Sequence, residues 1–387
     1  MIRKSALVAF VAAALVATPA TAAEPPSGGT WLVSQFAQGD HLLNAPSIPD
    51  PGLTADGVFA LAAAGVGKST AVKAATWLGQ PDQLSALIGA DGESYVGGLA
   101  KLALVAQTLG TDPHEFAGVD LLARLAELQE ESGRYRDLTD PSFDMTNAFT
   151  QALAIIVLKR ASLPFDKAVA YQVSTQCPDG GFPIAFDEPV CKSDVDGTAM
   201  VLQALLAAGE KTASGKALGW LVAQQKPDGG FPSATAGSNA NSTGLAVGAL
   251  VAGDRVPAAD KAVAYLRTLQ VGCAGPEAQR GAVAYDSAGF ELYPAIRATT
   301  QALLGLGRVS LADVSATSAT AGVPAIDCTT TPSPSPSEPA PAGPAPVDPP
   351  LAVTGPDQVV PLTLFGSLAV VTGAVLLLVS RRRKVGA

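Results

Sequence analysis

The chain has 387 residues, of which 48% are hydrophobic, 15% are charged and 5% are aromatic. Its formal net charge is −9, and its basic clusters lie beside apolar runs at the two ends. A protein that binds nucleic acid needs a basic face for the phosphates, so we expect no nucleic-acid partner. The two histidines and four cysteines show no metal-ligand spacing, so we predict no metal site and no bound cofactor.

Residues 1–23 have the composition of a secretory signal peptide. Arg3 and Lys4 precede an apolar run over residues 6–16, and small residues follow over residues 20–22. A charged start, a short apolar core and a small-residue cleavage site are the three parts of such a signal. We therefore predict that the chain is exported. An uncleaved membrane anchor is the alternative, but the apolar core is short for a bilayer span.

An internal repeat with a period of 45–49 residues follows over residues 30–307. A glutamine ends each amphipathic stretch, at Gln35, Gln80, Gln129, Gln176, Gln225 and Gln270. Three of these begin a turn of the form Gln-x3-Gly-x-aromatic, which places Tyr135, Phe182 and Phe231 at its end. We expect the glycine of the turn to take a positive φ angle and the glutamine amide to bond to the backbone of the turn.

A second motif, an Ala-Leu pair within an apolar run, alternates with the glutamines. The pairs begin at Ala60, Ala103, Ala152, Ala204, Ala249 and Ala302. A helix that is apolar on all sides is buried on all sides, whereas the glutamine-ending helices each keep one polar face. The pattern predicts an all-α domain over residues 27–328, in which six pairs of outer and inner helices close into an α6–α6 toroid.

The Gln-x3-Gly-x-aromatic turns at this period resemble the QW-type repeat of the prenyltransferase and squalene-cyclase toroid superfamily. The resemblance covers most of residues 30–307 and implies the same α/α-toroid fold. We interpret the motif as structural, because the glutamine and the ring would tie one repeat to the next.

Residues 194–199, Asp-Val-Asp-Gly-Thr-Ala, open the fourth inner helix. They resemble the Asp-x-Asp-Asp-Thr-Ala motif of squalene-type cyclases, which implies that Asp196 is a proton donor. Gly197 stands where that motif has its third aspartate. The alternative is that Asp196 caps the helix by accepting free backbone N–H groups. The same residues also look like the fourth-helix opening of transcobalamin-like corrinoid carriers, although residues 308–350 are too few for the second domain those carriers use.

The starts of the inner helices should meet at one mouth of a closed ring. We predict a polar pocket there that binds ligand without turning it over. Its predicted lining is Asp144, Asp194, Asp196, Asn241, Tyr293 and Arg297. Such a mouth could bind a sugar, a peptide or a cation; the alternative is that these side chains are helix caps.

The four cysteines allow three disulfide pairings. An exported chain meets an oxidising environment, which favours disulfides. Cys177 and Cys191 flank one Gly-Gly-Phe loop, and Cys273 and Cys328 would tie the segment after the last helix to the final repeat. We predict the pairs 177–191 and 273–328.

Residues 329–350 include nine prolines. Such a segment is typical of a stiff polyproline spacer, here about 70 Å long at about 3.1 Å per residue.

Residues 351–355 read Leu-Ala-Val-Thr-Gly, and an uncharged stretch over residues 359–380 and a basic run over residues 381–384 follow. The uncharged stretch is long enough to span a bilayer, and the basic run predicts a cytoplasmic end. The order resembles a sortase cell-wall sorting signal of the Leu-Ala-x-Thr-Gly type, which covers residues 351–387. The resemblance implies cleavage between Thr354 and Gly355 and transfer of Thr354 to peptidoglycan. A plain tail-anchored membrane protein is the alternative.

Together these features predict a secreted, wall-anchored surface protein whose toroid binds a small molecule, a glycan or a protein. Its other partners would be sortase and peptidoglycan. The alternatives are a terpenoid-cyclase-like enzyme, a wall-glycan-acting enzyme and a corrinoid-binding protein. An enzyme should have a deep cavity with paired acids or aromatic walls, whereas a binding module should have a shallow mouth.

Overall fold

The computed structural model describes residues 27–328 as a mostly helical domain. This part of the chain has thirteen α-helices, two short 3-10 helices and two antiparallel ribbons of two strands each. In chain order the α-helices are α1 (Ser27–Ser34), α2 (Pro51–Ala64), α3 (Lys68–Leu78), α4 (Pro81–Ile88), α5 (Val96–Leu109), α6 (Leu121–Ala126), α7 (Ala148–Arg160), α8 (Asp166–Ser174), α9 (Val195–Ala208), α10 (Thr212–Gln224), α11 (Ala240–Ala252), α12 (Val256–Leu269) and α13 (Leu292–Leu306). The 3-10 helices are Pro141–Phe143 and Glu277–Gln279, and the ribbons pair β1 (Leu43–Ala45) with β2 (Ile48–Pro49) and β3 (Phe231–Pro232) with β4 (Ser238–Asn239).

Several predicted features lie outside the described residues. They are the signal peptide (1–23), the proline-rich segment (329–350), the sorting motif with Thr354 and Gly355, and the span (359–380). No helix within residues 27–328 is both long and apolar enough to cross a membrane. Export and wall anchoring therefore stay predictions from the sequence.

Six inner helices form a closed ring. They are α2, α5, α7, α9, α11 and α13, and each packs against the next, while α13 returns to pack against α2. The Arg297 guanidinium on α13 reinforces this closure, since it donates to the Asp50 carboxylate at the start of α2 over 3.0 Å. The arrangement is that of an α/α toroid, as the repeat pattern predicts.

The inner and outer helices differ in burial as their sequences indicate. Each predicted Ala-Leu pair lies in an inner helix, and both residues of every pair are buried. The outer helices are α1, α3, α6, α8, α10 and α12, and a repeat glutamine follows within three residues of each. On α10, Leu218 and Leu221 are buried while Lys216 is exposed. The short helix α4 lies between α3 and α5 and is an addition that the repeat pattern does not predict.

Two of the repeat glutamines join their turn to the next outer helix. The Gln176 amide donates to the carbonyls of Gly180 and Ala213, each over 2.9 Å. Gln225 makes the same pair of bonds one repeat later, again at 2.9 Å. The turn glycines Gly133, Gly180 and Gly229 have φ angles of 90°, 98° and 89°, respectively. The predicted structural role is confirmed for the Gln176 and Gln225 copies of the motif.

A buried threonine on four of the inner helices completes the turn, and the sequence reading missed it. Thr198 accepts a hydrogen bond from the amide of Phe182 over 2.8 Å. Thr54, Thr243 and Thr299 accept equivalent bonds from Leu42, Phe231 and Val283. On α7 the acceptor is Gln151, which also donates to the carbonyls of Gly133 and Ala168. Gln151 thus replaces the repeat glutamine Gln129, whose Nε2 is buried without a partner.

The residues after α13 cover the second mouth of the ring, where the inner helices end. Gln203 accepts a hydrogen bond from the Leu311 amide over 2.8 Å. The half-buried guanidinium of Arg160 donates to the carbonyls of Ala312 and Val314 over 3.1 and 3.0 Å. These bonds hold the segment across the inner-helix ends.

The chain then returns along the side of the ring to the other mouth, where the inner helices start. The Thr320 amide bonds to the Gly65 carbonyl at the end of α2. The Thr30 hydroxyl on the outer helix α1 bonds to the Pro324 carbonyl. The segment finally reaches Cys328, which forms a disulfide with Cys273 in the loop before α13. The other disulfide joins Cys177 and Cys191, so both predicted pairings are confirmed.

Candidate ligand-binding site

All six inner helices start at one mouth of the ring, because an outer helix precedes each of them and returns the chain to that mouth. We call this mouth the rim and define it by the loops that lead into the inner helices. These loops are residues 35–50, 89–95, 129–147, 176–194, 225–239 and 270–291. The rim is where the sequence predicts a polar pocket.

Of the six residues predicted to line the rim, one caps an inner helix, namely Asp194. The capping side chains on α2, α7, α9 and α11 are Asp50, Asn147, Asp194 and Asn239. Asp194 accepts bonds from the amides of Asp196 and Gly197 over 2.8 and 3.0 Å. The alternative that Asp196 caps α9 is wrong, because Asp194 precedes the helix and already occupies that position.

Asp196 instead lies half-buried within the first turn of α9. Ser242, at the start of α11, lies close enough to its carboxylate to influence its pKa. The Asp196 Oδ1 atom has no hydrogen-bond partner among the described residues. Burial raises the pKa of Asp196 to about 6, and the nearby Asp194 carboxylate adds to this, while Ser242 opposes it. A carboxyl group that keeps its proton to this pH can act as a general acid or as a hydrogen-bond donor.

Gly197 explains why the cyclase-type motif is incomplete in this chain. A Cβ atom at Gly197 would lie 2.9 Å from the carbonyl oxygen of Pro183. The rim loop therefore passes too close to α9 for an aspartate at this position. The third acid of the motif is absent, and the backbone fills the space that its side chain would need.

The other predicted pocket residues are distributed around the rim. Asp144 lies before the cap of α7 and pairs with Arg136 over 2.8 Å. Arg297 is engaged with Asp50. Tyr293 is half-buried in the first turn of α13 and packs against the core. Asn241, in the first turn of α11, has a buried Oδ1 without a partner. The structure brings Asp194 and Asp196 together on α9, with Ser242 next to Asn241 on the adjacent helix.

The centre of the ring is almost filled by side chains. The cavity there has a volume of about 120 Å³. Every inner helix contributes to its lining, which includes Phe59, Phe149 and Met200, and Leu311 of the covering segment also lines it. Its charged pair, Lys101 and Asp56, is engaged internally over 2.8 Å. Binding pockets for small molecules generally have about 300–1,000 Å³, so this cavity is too small for one.

A larger cleft of about 590 Å³ lies at the rim between the loop that follows α8 and the loop that follows α10. Its walls include Pro183, Ile184, Val190, Trp220 and Pro232, together with the predicted residue Asp194. The apolar residues of this cleft are not among the site residues predicted from the sequence. The sequence does contain one signal for this cleft, namely the two cysteines on either side of the loop. Their disulfide, between residues 177 and 191, fixes one wall of the cleft.

Within residues 27–328, no group of three or more His, Cys, Asp or Glu side chains is arranged to hold a metal ion. The polar groups that line the cleft include the carboxylates of Glu188 and Asp194, the Lys192 ammonium and the hydroxyls of Ser193 and Ser233. Asp196, close to Asp194, has a pKa raised to about 6.

No protein-family profile matches the sequence, and no curated protein is detectably similar to it. Solved structures do share the fold. A protein from Actinoplanes has 18% sequence identity and a TM-score of 0.51, and the match covers 73% of this chain and 97% of that one. The apo type II terpene cyclase MstE from Scytonema has 15% identity and a TM-score of 0.54, with 72% and 95% covered. A variant of that cyclase in complex with its substrate, geranylgeranyl dihydroxybenzoate, has 15% identity and a TM-score of 0.53, with 73% and 95% covered. At these identities the likeness shows the α/α-toroid fold that these structures share.

Proposed function

We propose that the protein is a wall-anchored surface protein whose toroid binds a ligand in the rim cleft without turning it over. One observation carries the binding proposal, namely the distribution of space in the ring. The centre leaves about 120 Å³, whereas the rim cleft offers about 590 Å³ and falls within the usual range for ligand pockets. An isoprenoid substrate would need the central space that side chains occupy here.

The binding proposal is tested by a thermal-shift screen of the full chain with glycans, isoprenoids, corrinoids and peptides. A ligand at about 100 times its Kd should stabilise the folded state by about 2.7 kcal/mol. Val190 is 77% exposed in the cleft wall, so Val190→Asp should remove this stabilisation without unfolding the chain. Val256 is 57% exposed at the start of the outer helix α12, and Val256→Asp is the matched control. Ligand stabilisation that Val190→Asp leaves intact would exclude the rim cleft as the site.

The anchoring proposal rests on the order of motif, span and basic tail in the sequence. Muramidase should release the wild-type protein from cell walls, because Thr354 would be joined to peptidoglycan. Thr354→Ala and Gly355→Ala should instead leave the protein in the membrane fraction. Wild-type protein that muramidase does not release would contradict the sorting interpretation.

A terpenoid-cyclase-like enzyme is the second candidate, and the environment of Asp196 favours it. A buried carboxyl group with a pKa of about 6 is suited to general acid catalysis. If the toroid has this activity, wild-type protein should convert an isoprenoid substrate to a cyclised product, and Asp196→Asn should form none while remaining folded. Formation of such a product would show that the toroid is an enzyme and would contradict the binding proposal. If polyprenyl substrates give no product, the binding proposal is favoured.

A further inference from the structure

We propose that the ligand of the rim cleft is an extended, proline-rich peptide with basic side chains. This inference rests on the proposed function and adds the chemical class of the ligand. It is drawn from three properties of the cleft: its apolar walls, the prior engagement of its polar groups, and its charge.

The walls of the cleft are suited to prolyl rings. Trp220 lines the cleft together with Pro183 and Pro232, and Ile184 and Val190 add aliphatic surface. These two aliphatic side chains are 37% and 77% exposed, respectively, so their surface is available to a ligand. Proline-rich segments bind in grooves lined by aromatic side chains, because the polyproline II conformation is preformed and loses little entropy on binding.

Four of the polar side chains around the cleft, those of Trp220, Ser193, Asp194 and Ser233, already have partners inside the protein. The Trp220 indole N–H donates to Asp179 over 3.0 Å, and the Ser193 hydroxyl donates to the same carboxylate. Asp194 caps α9, and the Ser233 hydroxyl accepts from the Ala236 amide over 3.0 Å.

A sugar chain would bring many hydroxyl groups and leave them with few free partners here, and unpaired polar groups are costly to bury. A polyproline II peptide has no internal hydrogen bonds, and its backbone can remain solvated on the open side of the cleft. The engagement of the cleft's polar groups therefore favours a proline-rich peptide over a glycan.

The charge of the cleft favours a basic peptide. Glu188 and Asp194 line it, and the lining includes one basic residue, Lys192. Asp179 lies next to Trp220 and adds a further negative charge. The chain's own proline-rich segment, residues 329–350, contains two acidic residues and no Lys or Arg. Charge complementarity therefore points to a proline-rich peptide of another protein.

The cleft is also preorganised for binding. One wall belongs to the loop closed by the Cys177–Cys191 disulfide, which spans 14 residues of sequence. The opposite wall belongs to the ribbon of β3 and β4, where Phe231 pairs with Asn239. A wall that is already fixed loses less conformational entropy when a ligand binds.

The experiment measures fluorescence anisotropy of labelled peptides with the full chain. The probes are a fifteen-residue Arg-Pro-Pro repeat, a Glu-Pro-Pro repeat of the same length, and a labelled chito-oligosaccharide. The Arg-Pro-Pro repeat should bind, and its Kd should rise at least about tenfold in Val190→Asn, because this change removes apolar surface from the cleft wall without altering its charge. Val256→Asn should leave the Kd unchanged. Glu188→Lys should weaken binding of the Arg-Pro-Pro repeat, and added salt should weaken it in the wild type.

The outcomes separate this inference from the proposed function. Equal binding of the two peptides would overturn the charge argument, and an unchanged Kd in Val190→Asn would overturn the cleft assignment. Binding of the oligosaccharide alone, with loss in Val190→Asn, would overturn the peptide inference and leave the binding module intact. If no probe binds, the peptide inference is wrong. The thermal-shift screen with the other ligand classes then decides whether the toroid is a binding module.

Discussion

The buried carboxyl group of Asp196 should make the stability of the folded ring depend on pH. The folded-state pKa is about 6, against an ordinary value of 3.8. Between these two values the folded protein keeps the proton and the unfolded chain has lost it. A group with a raised folded-state pKa therefore stabilises the fold at low pH, and this contribution is lost as the pH rises through about 6.

The magnitude follows from the size of the pKa difference. Each pKa unit corresponds to about 1.36 kcal/mol, so the contribution lost between about pH 3.8 and about pH 6 is about 3 kcal/mol. Asp196→Asn replaces the carboxyl group with a neutral group of the same shape. The variant should have the stability of the wild type near pH 4. It should be more stable than the wild type by up to about 3 kcal/mol at pH 7.5.

Urea unfolding at several pH values between 4 and 8, with the disulfides intact, measures this difference. The control is Asp140→Asn, because Asp140 is fully exposed and its pKa is lowered by hydrogen bonds from Ser142, so the gain at neutral pH should not appear. A stability difference between wild type and Asp196→Asn that stays constant across the pH range would refute the burial argument.

Two further predictions concern the repeat turns. Gln176→Leu should destabilise the fold by about 2 kcal/mol in urea, because two carbonyls lose their donor, whereas Gln129→Leu should be nearly neutral because its Nε2 has no partner; equal effects would contradict the proposed role of the amide. Gly133→Ala should lower Tm far more than Gly92→Ala, since a Cβ at Gly133 would lie 2.0 Å from the Lys167 carbonyl and one at Gly92 would meet nothing within 4 Å. Both glycines have positive φ, so a similar Tm in the two variants would remove the steric explanation.

The repeat architecture could be predicted because it depends on local patterns. A helix that is apolar on all sides has few alternatives to burial, and a glutamine recurring every 45–49 residues marks the same turn each time. The cysteine pairs followed from their positions around one loop and after the last repeat. These features depend on residues that are near in sequence or on a period that links distant ones.

The site was harder to predict, because it depends on how one loop passes over a helix. Two aspartates at positions 194 and 196 are equally plausible caps in sequence, and only the backbone conformation assigns that function to Asp194. The contact between Pro183 and Gly197 joins a loop to a helix start. The walls of the cleft come from two successive repeats, so neither repeat alone contains the signal.

The disulfide between Cys273 and Cys328 determines how a mechanical force would enter the ring. A pull on the chain beyond Cys328 reaches the ring first at Cys273, because the disulfide is a covalent connection across 55 residues of sequence. The last inner helix, α13, and the segment that covers the second mouth lie within this bypass. Tension applied from the C-terminal side would therefore bypass them and pass into the loop after α12, at the rim. Reduction of this disulfide would expose the covering segment to the force and open the second mouth first.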